Sequence, residues 1–301
     1  MTKLGGVLQP VAKQLHKQHI GGIVTKALQD ADVELKDLDA IAVTVKPGLV
    51  MPLNVGVEHA KELVRKSSKP MIPIHHMEAH ALTARMLERI DFPFLVFLVS
   101  GGHCLLAVAK SVDQFLLLGR GIDGSPGEAF DKTARSLRLK NLPQCEGLSG
   151  GASVELMAKN GNPHAFEFPT QQRSRKCDFS MSGLKEFARQ IIEKEERRQG
   201  LLAGDVLSNA ADICASFQFG LLQHFIKKLQ RAFLFCELKN LLPEQNRVLV
   251  MSGGVASNSY LKQNLEKVCN IYNCRMVCPP PRLCTDNGAM IAWLVTSRES
   301  L

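Results

Sequence analysis

His76 and His80 stand four residues apart in the run His76-Met77-Glu78-Ala79-His80. On a helix that spacing puts both imidazoles on one face, one turn apart, where they can share a metal ion. A zinc protease would carry glutamate directly after the first histidine, as general base. Here Glu78 lies midway, on another part of the helix circumference, so the protease pattern is absent. Two imidazoles, even with His75 beside them, need a carboxylate to complete a site. Asp286, in Cys284-Thr285-Asp286-Asn287-Gly288-Ala289, is the best donor. It sits between the Pro279-Pro280-Pro281 stop and a new helix, where it could equally be a plain N-cap. Spacing alone does not choose between those roles, and mixed imidazole and carboxylate ligands suit zinc and iron equally.

A second kind of chemistry is suggested by glycine. Leu98-Val99-Ser100-Gly101-Gly102 and Val250-Met251-Ser252-Gly253-Gly254 each place Ser-Gly-Gly directly after an apolar run. Glycine there lets backbone amides approach a phosphate or nucleoside without a Cβ in the way. One such turn is usually only a turn; a matched pair, one in each half, suggests a nucleotide held between lobes. Asn258, just past the second turn, is placed to hydrogen-bond a ribose or a base edge.

These residues must be positioned by strands and helices that the pattern also predicts. Strands are expected at Ile41–Val45, Pro70–Ile74, Phe94–Val99, Cys104–Ala109, Arg247–Met251 and Arg275–Cys278. An acidic amphipathic stretch runs from Ile20 to Asp39. Helical spacing covers Leu53–Lys66, His75–Leu87, Leu184–Arg198 and Asn209–Phe235, and further helices begin at Ser257 and Asp286. Strand-helix alternation with glycine turns at strand ends argues for an α/β architecture. Two lobes are expected, residues 1–107 carrying the histidines and 108–301 carrying the second glycine turn and Asp286.

Composition narrows the partners. The 301 residues are 45% hydrophobic and 22% charged, as in ordinary globular proteins. The longest apolar runs are too short to span a bilayer, so no membrane is expected. The formal net charge of +8 favours polyanions, and basic residues gather at Arg135, Arg138 and Lys140, at Arg173, Arg175 and Lys176, and at Lys194, Arg197 and Arg198. A plain solvated basic surface would look the same. Aromatics at 6% do not suggest base-stacking platforms. Nine cysteines without paired CxxC spacing are expected as reduced thiols, mostly buried. The opening residues Met1–Gly6 show neither a secretory nor a mitochondrial targeting pattern.

Taken together and in order, HHMEAH (His75 to His80), LVSGGH (Leu98 to His103), GEAFDKTA (Gly127 to Ala134), CDFSMSGLK (Cys177 to Lys185), SGGVASN (Ser252 to Asn258) and CTDNGAMIAW (Cys284 to Trp293) resemble the family that makes threonylcarbamoyladenosine in transfer RNA. That family was formerly called O-sialoglycoprotein endopeptidase, or glycoprotease. HMEAH is similar to its bacterial and mitochondrial branches; the archaeal and eukaryotic cytosolic branch usually has Cys-Ile-Gly between the histidines. The resemblance implies a two-lobed fold of the actin, sugar-kinase and Hsp70 type, and a mitochondrial location. It implies transfer of threonylcarbamoyl from threonylcarbamoyl-AMP to the exocyclic amine of the adenine beside the anticodon of ANN-decoding tRNA. It further implies His76, His80 and Asp286 as ligands of one divalent metal ion. Leu98, Val99, Ser100, Gly101 and Gly102 would line the substrate, Asp131 and Gly151 would hold the nucleoside, Glu155 the ribose, and Asn258 would complete that pocket. His103 is a candidate general base. A homodimer is compatible with the resemblance. Family members open with a strand-hairpin carrying an ETSCDD-type motif, whereas Gly5-Gly6-Val7 aligns downstream of it, so the fold is expected without that hairpin. The other readings are an actin-like ATPase or sugar kinase, a metalloprotease, and a shortened form that binds without turnover.

Overall fold

Strand β1 (Ile41–Lys46) and strand β2 (Met71–His75) pair in parallel, with helix α2 (Val50–Ser67) as the crossover between them. The computed structural model describes residues 8–169, 176–202 and 204–299. The expectation for Gly5–Val7 therefore lies outside the described residues, as do those for Met1–Gly6, Arg173 and Arg175. The chain divides into two compact units, residues 1–86 with 286–301, and residues 87–285.

In the first unit, helix α1 (Gln9–Asp30) packs on α2, and a loop with one 3₁₀ turn (Leu35–Asp37) leads from it to β1. The acidic stretch to Asp39 is thus helical only as far as Asp30. Strand β2 runs without a linker into helix α3 (His76–Leu82), with His75 in extended conformation as its N-cap. Regular helix ends at Leu82 and tightens into a 3₁₀ turn, Thr83–Met86, short of the expected Leu87. The C-terminal helix α10 (Gly288–Glu299) lies against α3 and both strands. Burial of Ile74, Ala79, Ala81, Leu82, Met290 and Leu294 supplies the apolar contact that holds these elements together.

The second unit is built on a five-stranded sheet ordered β5-β4-β3-β6-β7. Its centre is β3 (Phe94–Val99), buried at every position, which explains why its sequence is continuously apolar. Strand β3 pairs antiparallel with β4 (Cys104–Ala109), and β4 with β5 (Phe115–Arg120). On its other side β3 pairs in parallel with β6 (Arg247–Ser252), and β6 with β7 (Cys274–Val277). A division at residues 107/108 would cut β4, which is bonded to a neighbour along both edges; the chain instead divides after Met86 and after Thr285.

Helices α4 (Pro126–Ser136), α5 (Gly150–Ala158), α6 (Ser182–Gln199), α7 (Ala210–Leu238), α8 (Ser259–Ile271) and the short α9 (Pro281–Cys284) complete this unit. Helix α7 is apolar nearly all round and is buried accordingly. Its Phe225 meets Phe97 of β3 edge-on with centroids 5.0 Å apart, and Phe179 stacks on Phe97 at 5.5 Å. All nine cysteines are free thiols, eight of them buried, as expected.

His224 of α7 is buried beside Phe179, and its Nε2 has no partner among the described residues. Burial, with the nearby Lys228 charge, pushes its pKa down to about 4, below the roughly 6.5 of an unfolded chain. As pH falls through 6.5 the unfolded state takes up a proton that the folded state refuses, so stability drops until about pH 4. Urea unfolding between pH 8 and 4 should show His224→Gln lacking this component, which amounts to about 3 kcal/mol at most.

Candidate functional site

Three side chains of the first unit meet at one oxygen. Asp286 Oδ1 lies 3.1 Å from His80 Nε2 and 3.3 Å from His76 Nε2. The two rings are one helical turn apart on α3, edge to face, with centroids at 4.6 Å. The expected pairing of imidazoles on one helix face is therefore present. His80 is buried, whereas the Asp286 side chain is 80% exposed. Hydrogen bonds from the two imidazoles hold the Asp286 carboxyl well below the usual carboxylate range, against the opposing effect of desolvation.

Asp286 is not the cap of α10. That role falls to Asn287, whose Oδ1 accepts the Met290 N–H at 2.9 Å. The neighbouring residue thus satisfies the helix end and leaves the aspartate to face the histidines. His80 Nδ1 is buried without a partner among the described residues, so Nε2 is the ring atom that points at the carboxylate. The three donor atoms lie no more than 4.8 Å apart. Around an ion with bonds of about 2.1 Å, adjacent ligands are about 3.0–3.4 Å apart. Both imidazole–carboxylate separations match that, and a bound ion would draw the two nitrogens further in. Two neutral nitrogens and one carboxylate can hold one metal ion.

The glycine turns belong to the second unit. Both follow central parallel neighbours, since Leu98 of β3 is in register with Ser252 of β6. The C-terminal ends of parallel strands are where α/β sheets bind ligands. The turns also touch. Gly253 adopts φ +98°, and a Cβ there would lie 2.4 Å from the Val99 carbonyl oxygen, so only glycine fits. Space above Gly101, Gly102 and Gly254 is open. Ser100 closes the first turn: its N–H donates to the His103 carbonyl at 2.9 Å and its Oγ accepts from His103 N–H at 3.0 Å. Of the expected stretch Leu98 to Gly102, only Ser100 onward reaches the surface; Leu98 and Val99 are buried in the sheet.

Other expected residues of the second unit make direct contacts of their own. Asp131 of α4 accepts from the Gly150 N–H, and desolvation raises its pKa against the pull of Arg135. Gly150 and Gly151 form the first turn of α5 rather than a loop, capped by Ser149, and a Cβ on Gly150 would strike Asp131. Glu155 of α5 accepts the Ser259 N–H at 2.8 Å. Asn258 is held by internal bonds. It is buried, its Oδ1 caps α8 by accepting Leu261 N–H at 2.9 Å, and its Nδ2 donates to Gln218 at 2.8 Å. Within the protein this amide thus caps α8 and ties it to α7.

Ser125 was missed from the sequence. It caps α4 by accepting the Glu128 N–H, and its hydroxyl donates to the Gly101 carbonyl at 2.5 Å. Gly127 packs so closely on Gly101 that a Cβ would lie 2.6 Å from its Cα. Ser125-Pro126-Gly127-Glu128 carried the signal, a capping serine with proline at the first helical position and glutamate three residues on.

With this geometry in view, comparison with known proteins is decisive. A family model, TsaD: tRNA N6-adenosine threonylcarbamoyltransferase, matches residues 1–293. The chain belongs to this family. Relatives named "tRNA N6-adenosine threonylcarbamoyltransferase, mitochondrial" include those of Rattus norvegicus, 51% identical, and Homo sapiens, 50% identical, each over 97% of this chain and 70% of the relative. The relative of Danio rerio is 48% identical over 97% of this chain and 72% of its own. Their names agree with the expected mitochondrial location and transferase class. The crystal structure of full-length HypF in a phosphate- and nucleotide-bound form superposes with a TM-score of 0.60 at 14% identity, over 87% of this chain and 47% of HypF. That likeness supports the expected actin, sugar-kinase and Hsp70 type of fold. Among the described residues no helix is long and apolar enough to cross a membrane.

The separate roles of adjacent residues can be tested by mutation. Asn287→Ala should cost about 1 kcal/mol of stability while metal content persists, as a lost helix cap does. Asp286→Ala should abolish metal retention with a smaller stability change; urea melts and elemental analysis of the same preparations read both.

Proposed function

We propose that this chain transfers a threonylcarbamoyl group from threonylcarbamoyl-AMP to the exocyclic amine of the adenine beside the anticodon of ANN-decoding mitochondrial tRNAs. One divalent ion, zinc or iron, is held by His76, His80 and Asp286. The observation that carries this reading is the convergence of both imidazoles on one Asp286 oxygen, in a chain of this family. Such an ion, when bound, supplies positive charge for phosphate or carbonyl oxygens.

The protein's own groups have distinct tasks in this scheme. The open faces of Gly101, Gly102 and Gly254 let backbone approach the acyl adenylate. Asp131 accepts from a nucleoside hydroxyl, with Gly150 fixing one side of its carboxyl. The α5 N-terminus at Gly151 offers further amides, and Glu155, anchored on Ser259, borders the ribose. Because the acyl group arrives already activated and the amine is a weak nucleophile, holding the two together supplies much of the acceleration, on the order of several kcal/mol.

Purified protein offered threonylcarbamoyl-AMP and an ANN-decoding tRNA should yield threonylcarbamoyladenosine, detected in nucleoside digests. His76→Ala and His80→Ala should each lower the rate by more than about a hundredfold. Undiminished transfer by both variants would refute the assigned ligands. Absence of transfer by the intact protein, with glycoprotein cleavage instead, would favour the protease reading.

A further inference from the structure

We infer that the groove between α4 and α6 docks the phosphodiester backbone of the RNA substrate; this rests on the tRNA reading above. A cavity of about 440 Å³ lies between these helices, within the second unit. Four of its lining side chains are cations, Lys132 and Arg135 from α4 and Lys185 and Arg189 from α6, against a single lining carboxylate, Glu186. Hydroxyls of Ser136 and Ser182 add neutral donors along the same walls. Lys132 and Arg135 are three apart and Lys185 and Arg189 four apart, so each helix presents its pair in a row. Two facing rows of cations match a chain of repeating single negative charges better than one compact anion.

The cations have protein partners that RNA would displace at low cost. Lys132 pairs with Glu128 at 2.6 Å, and Lys185 contacts the same carboxylate at 3.6 Å. Arg189 pairs with Glu186 at 2.6 Å and with Glu193 at 2.5 Å. The Lys132 and Arg189 side chains are 53% and 52% exposed, and exposed pairs of this kind are weak and screened by salt. Arginine bound to phosphate is a stronger, charge-assisted arrangement.

Position supports the assignment. Arg135 acts electrostatically on Asp131, one turn back on α4, so the groove begins beside the residue proposed to hold the nucleoside. Just past α4, Arg138 bonds Glu196 of α6 at 2.6 Å, which holds the two walls of the groove together.

The test is equilibrium binding of an unmodified ANN-decoding tRNA to the full chain between 50 and 200 mM salt. The paired variant Lys132→Gln/Arg189→Gln should weaken binding about tenfold and flatten the slope of log Kd against log salt by roughly 1 to 2. Its KM for threonylcarbamoyl-AMP should stay at the wild-type value. Glu186→Gln, which removes the groove's own negative charge, should tighten binding about two- to threefold. Wild-type affinity and slope in the paired variant would overturn the proposal. Should that variant fail to fold, unchanged affinity in Glu186→Gln would do the same. Altered binding without transfer by the wild-type protein would sink the activity reading and leave the groove standing; transfer with unaltered binding would do the reverse.

Discussion

One carboxylate oxygen, shared by two imidazoles a helical turn apart, is the constraint around which the first unit is arranged. Hydrogen bonds of 3.1 and 3.3 Å are met only if α3 starts in a fixed rotation and α10 starts in a fixed place. Direct passage of β2 into α3 settles the rotation, because the strand's pairing with β1 leaves no slack before His76. Packing of α10 on α3 and on both strands settles the other. The division of labour between Asp286 and Asn287 then matters. Had one residue served as both helix cap and partner of the imidazoles, its oxygens would be split between the two; two adjacent residues avoid that conflict.

The second unit solves a different problem, that of leaving backbone open at the end of a sheet. Parallel pairing of β3 with β6 places two Ser-Gly-Gly turns side by side at the C-terminal ends of these central strands. Each is then fixed from outside itself: the first by Ser125 and Gly127 of the α4 N-terminus, the second by the carbonyl of Val99. Polar residues behind them, Asn258 and Gln218 in particular, are spent on internal bonds. A rigid backing of this kind is what preorganised amide donors require.

Much of this was legible in the residues. The i, i+4 histidines, the buried strand Phe94–Val99 and the matched glycine turns are local patterns, and local patterns survive folding. Boundaries were read less well where tertiary contact decides them: α3 stops at Leu82, although helical spacing continues to Leu87, because the chain tightens into a 3₁₀ turn. Asp286 could not be separated from a cap by spacing, since Asn287 has the same capping chemistry and only the fold assigns one role to each. The surroundings of Asn258 were likewise hidden. This polar residue after a glycine turn is buried and bonded to Gln218 of α7, a long-range contact with no local sign. The unit boundaries were hidden for a similar reason: the chain returns to its first unit only for its last helix, a long-range pairing with no local sign.

Anomalous-scattering crystallography of the metal-loaded protein, at the absorption edges of zinc and iron, tests the central claim most directly. The account predicts one peak about 2.1 Å from His76 Nε2, His80 Nε2 and an Asp286 carboxylate oxygen together. A peak bound elsewhere, or one that touches the histidines with no Asp286 oxygen within coordinating distance, would contradict it.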